Sequence, residues 1–356
     1  MFLKQINLIN FRNYSQLELN FDTRPTVLVG NNAAGKSNIL ESIYLLSTSK
    51  SQRVDNEDEL IKEGEEFTKV EGFLSEPEID LLVILNRQDS EISLDRSTKR
   101  KKVLVNGIGR RTVDFIGNLP AVIFYPSDIN MVTGSPSLRR WHLDLALAQV
   151  DTKYKKDLTL YEQFLTSRNR VLKRIREGKA RVDELTYWTD ELIKQGKLIS
   201  NKRIAFFDFV NSLSTPLGEF IFEYRPSEIS EEKLSETNGR EVAAAATLIG
   251  PHRDDFDILL EGRNMAHYGS RGEQRTATLA FKLAQFEYMA KILGKRPILL
   301  LDDVFSELDA NHRAHVVEIV SKQQTIIATV ELENIPKDFL DSSRILRVED
   351  GKIQEM

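Results

Sequence analysis

The run Gly30-Asn31-Asn32-Ala33-Ala34-Gly35-Lys36-Ser37 constrains the fold of this chain more than any other segment. It satisfies G-x-x-x-x-G-K-[ST] in full. It follows the short apolar run Thr26–Val29, and Ile39, Leu40, Ile43 and Leu46 recur after it at helical spacing. A strand, a tight glycine turn and a helix N-terminus together aim successive backbone N–H groups at one point, which makes an anion site. Gly30 and Gly35 supply backbone angles that a side chain would block. The Lys36 ammonium reaches the β- and γ-phosphates as a point charge, and the Ser37 hydroxyl is placed to coordinate Mg²⁺. Asn31, Asn32, Ala33, Ala34 and Asn38 complete the expected nucleotide contacts. A chance glycine-rich turn would lack the flanking strand and helix.

A second motif lies far along the chain. Ile298-Leu299-Leu300-Leu301-Asp302-Asp303 reads as a buried strand ending in two acids. The C-terminal ends of strands in an open parallel sheet face the ligand. Asp302 is then expected to bind Mg²⁺ with Ser37, and Asp303 to orient or deprotonate the attacking water. Between the two motifs the texture changes. Residues 55–66 read as an acidic loop and 67–124 as β-rich, with strands over Asp80–Leu85 and Val103–Val105 joined to a turn at Asn106-Gly107. From Ser137 to about Asn211, apolar residues recur at steps of three and four amid many charges, which predicts long helices. Gly272–Leu293 predicts a further helix, and Pro297–Leu301, Thr325–Ala328 and Arg344–Val348 predict strands. The expected organisation is an α/β head built from 1–124 and 246–356, with a helical second lobe at 125–245.

Composition narrows the partners little. The net charge is −5, so any nucleic-acid contact has to come from a local basic patch. The absence of cysteine rules out disulfides, thiolate catalysis and Cys-ligated zinc. The N-terminal segment does not read as a signal peptide, and no run approaches a bilayer span. A cytoplasmic protein with no membrane partner is the expectation.

Ser270-Arg271-Gly272-Glu273-Gln274 precedes the long helix before the acidic strand and resembles the ABC signature, whose common form is Leu-Ser-Gly-Gly-Gln. Ser306 and Asp309, within Ser306-Glu307-Leu308-Asp309, resemble the D-loop, and Thr329 stands where that class has its switch histidine. Adding Asn10-Phe11-Arg12-Asn13-Tyr14, Leu248-Ile249-Gly250-Pro251-His252-Arg253-Asp254-Asp255 and Leu301-Asp302-Asp303-Val304-Phe305, the chain resembles the RecF family of ABC-type, SMC-like ATPases along nearly its whole length. That resemblance implies a weak, DNA-stimulated ATPase with ATP and Mg²⁺ as cofactors. It further implies ATP-dependent homodimers, with the signature serine meeting the γ-phosphate held by the other subunit. It implies DNA binding (single-stranded, duplex or gapped) in recombinational repair, replication restart and the SOS response. RecO and RecR would be partners in loading RecA. Arg12 is the residue expected to touch the nucleotide by the same resemblance, and His252 and Arg253 are expected to brace the signature region.

Three positions depart from the wider ABC pattern: Asp303 replaces a glutamate, Thr329 cannot titrate, and Phe124–Met131 contains no glutamine. An ABC-transporter subunit would carry the usual residues there and lack the helical insert. Another SMC-like head would carry long heptad coiled coils. A P-loop kinase would lack the signature and D-loop pair. For DNA, the basic stretches are Arg168, Arg170, Lys173, Arg174 and Arg176, then Lys99, Arg100, Lys101 and Lys102, then Arg139-Arg140. Backbone phosphates rather than bases are the expected target.

Overall fold

The apolar run that leads into the phosphate loop, Thr26–Val29, is a fully buried strand near the middle of a six-stranded sheet. The spatial order is Lys352–Glu355, Arg344–Glu349, Thr26–Val29, Thr325–Thr329, Ile298–Asp302, Ala121–Phe124. Every pairing is parallel except that of the first two strands. Strands covered on both faces read as unbroken apolar runs, which is why Ile298–Leu301 was legible. In register, Val29 pairs with Thr329, and Asp302 pairs with Ala328. The C-terminal ends of three strands therefore share one edge.

The structure is a computed structural model and describes residues 2–87, 100–214, 217–308 and 310–356. The chain forms two compact units, Met1–Asp128 with Gln285–Met356, and Ile129–Ala284. The first unit adds an antiparallel sheet in the order Tyr14–Asn20, Phe2–Phe11, Phe67–Ser75, Ile79–Asn86, Lys101–Val105, Ile108–Arg110. The helix Lys36–Thr48 packs against strands of both sheets, so it is buried nearly all round from Ile39 onward.

The second unit holds the helices Pro136–Val150, Thr152–Arg176, Thr186–Asn211 and Glu231–Ala244. It also holds a three-stranded antiparallel sheet of Phe220–Arg225, Asp255–Leu260 and Arg263–Asn264, which the sequence did not announce. Phe220 and Phe222 face the core while Ile221 between them is 53% exposed, so the alternation carries an apolar residue on the wet side. This sheet also moves the boundary. The stretch 246–284, read from sequence as part of the head, belongs to the second unit because its residues pack there. Phe256 stacks on Phe281, and Phe207 stacks on Tyr224, each at 4.8 Å. Among the described residues no helix is long and apolar enough to cross a membrane.

A buried charge cluster ties this unit together. Arg203 is 1% exposed and donates to Asp254 at 2.6 Å, Asp144 at 2.7 Å and the Pro251 carbonyl at 2.7 Å. Tyr224 also donates to Asp254. Removing one partner of a buried ion pair leaves a charge out of water with nothing to match it. Arg203→Met is expected to cost about 3–5 kcal/mol, read as a lowered urea midpoint. A midpoint equal to wild type would show that the cluster contributes no stability.

Candidate functional site

The phosphate loop is held from the neighbouring turn. Tyr14 Oη donates to the Gly35 carbonyl at 3.1 Å, and Asn13 Nδ2 donates to the Ala34 carbonyl at 3.3 Å. Gly35 has φ 111°, and a Cβ there would stand 2.5 Å from Tyr14 Oη. A Cβ on Gly30 would stand 2.2 Å from the Val348 carbonyl oxygen. Both glycines are required, one by angle and by a side chain, the other by a neighbouring backbone. Lys36 Nζ donates to the Gly30 and Asn31 carbonyls at 2.8 Å each, so the ammonium closes its own loop. An ammonium has a third donor to give. Burial pulls the Lys36 pKa down, and Asp302 and Asp303 oppose that shift.

Ser37 Oγ donates to Asp302 Oδ1 at 2.9 Å across 265 positions of sequence. Burial pushes the Asp302 pKa up, against the Ser37 bond and the nearby Arg53 and Lys36 charges. Two hard oxygens so placed suit Mg²⁺, which takes its remaining ligands from water and phosphate. Asp303 has φ 52°, a left-handed angle uncommon for a residue with a side chain. That angle comes with an Asp303 N–H bonded to the Ala328 carbonyl at 2.8 Å and an Asp303 carbonyl that accepts from Ser306 Oγ at 2.7 Å. Among the described residues Asp303 Oδ1 is buried without a hydrogen-bond partner. An unmet buried carboxylate oxygen is costly and has capacity for a donor such as water.

Gly35, Lys36, Ser37, Asp302 and Asp303 line one cleft of about 270 Å³, with Asn32, Ala33, Asn38, Pro126 and Val330. Arg53 lines it too, and the sequence reading missed it. It lies in no motif, and its signal is only that it follows the loop's helix. Arg12 is not among the lining residues, and its guanidinium forks onto Glu41, at 2.9 and 2.7 Å. Thr329 is buried at its strand end and donates to the Glu331 carbonyl at 3.0 Å. Ser306 is exposed, and Asp309 lies outside the described residues.

In the second unit, Ser270 caps the helix Arg271–Leu293. Its N–H donates to Glu273 Oε2 at 2.7 Å, and Ser270 Oγ accepts from the Glu273 N–H at 3.3 Å. This reciprocal pair leaves Ser270, Arg271 and Gly272 exposed at a helix N-terminus, where an anion is favoured. Gln274 turns inward and donates to the Met265 carbonyl at 3.0 Å. His252 is held between Tyr161 Oη at 2.7 Å and the Thr247 carbonyl at 3.1 Å.

The basic stretches sort by partner. Arg168, expected on a DNA surface, is corrected: it is 2% exposed and bound to Glu241 at 2.7 Å and Thr247 at 2.8 Å. Arg139 is likewise internal, forked onto Asp255. Arg140 donates to the Asp254 carbonyl. Lys101 is bonded to Glu57 and the Ser49 carbonyl, and Arg100 to Asn56 and Asp58, so both brace the loop after the phosphate helix. Lys99 lies outside the described residues, and Lys102 is exposed. Arg170, Lys173, Arg174 and Arg176 are exposed along the end of the helix Thr152–Arg176, with Arg174 paired to Glu184 at 3.3 Å.

Comparison with known proteins gives the same direction. The sequence model of the RecF/RecN/SMC N-terminal domain family matches residues 2–353. A DNA replication and repair protein RecF from Oceanobacillus iheyensis is 33% identical, over 99% of this chain and 100% of that protein. The protein of the same name from Bacillus velezensis is 35% identical, over 99% and 100%. Among solved structures, the recombination mediator protein RecF with ATP in the RecFOR pathway is 30% identical with a TM-score of 0.85, covering 100% of this chain and 97% of that one. A Pyrococcus furiosus Smc head domain, 16% identical with a TM-score of 0.55, covers 100% and 96% and shares the fold.

Gly30→Ala is expected to cost about 1–3 kcal/mol by overpacking against the Val348 carbonyl and to weaken ATP binding more than tenfold. Calorimetric titration beside a urea melt checks both. Wild-type affinity would mean that the loop tolerates a shift of that strand.

Proposed function

This chain belongs to the RecF family, and on that premise we propose that it is an ATP-gated DNA-binding protein of replication and recombinational repair. The observation that carries this reading is the convergence of Lys36, Ser37, Asp302 and Asp303 on one cleft at the ends of parallel strands. Backbone N–H groups of the loop and Lys36 take the phosphates. Ser37 and Asp302 would hold Mg²⁺, which neutralises phosphate charge when bound. Asp303 orients the attacking water with the oxygen that has no partner among the described residues. An aspartate reaches less far than a glutamate, so slow turnover goes with this reading, and DNA is its stimulus. Work with RecO and RecR to load RecA at gapped DNA, in the cytoplasm, follows from the kinship rather than from any residue.

Dimerisation supplies the gate. Ser270 presents a helix N-terminus at the surface of the second unit, while the phosphate loop belongs to the first. Two copies facing head to tail complete two equal sites, each with ATP in the interface. Dimer stability then depends on ATP by mass action, and loss of the γ-phosphate releases it. The exposed side chains Arg170 and Lys173 are the contacts we assign to DNA phosphates.

Asp303→Asn is expected to bind ATP and to lose about a hundredfold or more in turnover; normal turnover would remove Asp303 from the chemistry. Ser270→Arg is expected to bind ATP as a monomer and to hydrolyse none. Mixing it with Lys36→Met places both lesions in one composite site and neither in the other, so the mixture recovers hydrolysis that each lacks alone. A sedimentation series in which wild type stays monomeric with ATP would defeat the dimer mechanism. Arg170→Glu with Lys173→Glu is expected to flatten the slope of log affinity against log salt by about two. An unchanged slope would move the DNA surface elsewhere.

A further inference from the structure

Glu41 lies in the helix that follows the phosphate loop and is 1% exposed. A carboxylate taken so far from water needs cations to match it, and two guanidiniums meet it. Arg12 grips it as a fork, Nε to Oε2 at 2.9 Å and Nη2 to Oε1 at 2.7 Å. Ser51 Oγ donates to Oε1 as well. Arg53 donates from Nη1 to Oε2 at 3.0 Å and to Asn38 Oδ1 at 2.9 Å, with its guanidinium 5.8 Å from the centroid of the Tyr125 ring.

The two arginines are not equivalent. Arg12 is tied on its far side to the Glu59 carbonyl at 3.1 Å and does not line the phosphate cleft. Arg53 does line it, beside Lys36, Ser37 and Asp302. The two guanidiniums share one carboxylate, and of the two only Arg53 lines the cleft, where an anion can reach it. We propose that Arg12, Glu41 and Arg53 form a positioning relay for the nucleotide: Arg12 fixes the Glu41 carboxylate, and Glu41 holds the Arg53 guanidinium at the rim of the cleft to meet the triphosphate. The relay rests on the reading of this cleft as the ATP site. Arg12 and Glu41 are positioning residues that do not touch the nucleotide, which gives Arg12 a different task from the direct contact that the sequence suggested. Arginine suits the first place because a planar fork fixes both carboxylate oxygens, which lysine cannot do. Holding Arg53 before ATP arrives lowers the ordering cost of binding.

The test is a double-mutant cycle on the full chain with Mg²⁺-ATP, read by calorimetric affinity and by steady-state hydrolysis. Arg53→Ala and Arg12→Ala are each expected to weaken ATP binding about tenfold, the loss typical of one charge-assisted bond. KM rises and kcat stays within about threefold, because the interaction serves binding more than the chemical step. The double variant is expected to bind within about twofold of Arg53→Ala alone, since residues that act through one another are not additive. Glu41→Gln is expected to match Arg53→Ala. Should that buried change prevent folding, Arg12→Lys keeps the charge, loses the fork and answers the same question. Losses at Arg12 and Arg53 that multiply would overturn the relay, because Arg12 would then act independently of Arg53. So would a folded Glu41→Gln or Arg12→Lys that binds ATP as wild type does. A wild-type protein that binds no ATP would instead overturn the nucleotide reading of the cleft itself.

Discussion

Parallel register at the centre of the first unit sets the position of everything chemical in it. Thr26–Val29, Thr325–Thr329 and Ile298–Asp302 run side by side with Val29 opposite Thr329 and Asp302 opposite Ala328. Side chains alternate along a strand, so a slip of one residue would turn Asp302 to the other face. Such a slip would put Leu301 or Asp303 where Asp302 now stands and leave Ser37 without its partner. The bond between Ser37 and Asp302 is thus a product of strand register. The left-handed angle at Asp303 follows from the same geometry, since the chain turns off the strand while the Asp303 N–H still pairs with Ala328.

How much of this was legible depended on how local the information was. The phosphate loop is eight consecutive residues with a strand before and a helix after. The acidic strand is a run of apolar residues that stops at two aspartates, and the helix Arg271–Leu293 carries its own cap. Each can be read without knowing the rest of the chain. The fate of a positive charge cannot. Arg168 finds Glu241 73 positions on, Arg139 finds Asp255 116 positions on, and Arg100 reaches back 42 positions to Asp58. A basic run in sequence looks the same whether its members face water or are spent on distant acids, and only the fold decides between the two. Glu41 was hidden for the opposite reason. It sits among apolar neighbours in Ile39–Leu46 and gives no sign in sequence that it is a junction for two arginines. The small antiparallel sheet escaped because its strands are short and Ile221 blurs the alternation.

The phosphate loop is pinned by Tyr14 and Asn13 and closed by the Lys36 ammonium on the Gly30 and Asn31 carbonyls. Its conformational entropy is lost when the protein folds, so little remains to be lost on binding. A cradle of this kind gives affinity without discernment. Backbone N–H groups that hold a β-phosphate hold it equally in a diphosphate and a triphosphate, and binding that is equal in two states cannot tell them apart. Telling fresh nucleotide from spent therefore falls to side chains that meet the terminal phosphate, the Lys36 ammonium and those at the rim of the cleft. A rigid cradle of this kind fixes where the nucleotide sits, and side chains rather than backbone register what it still carries.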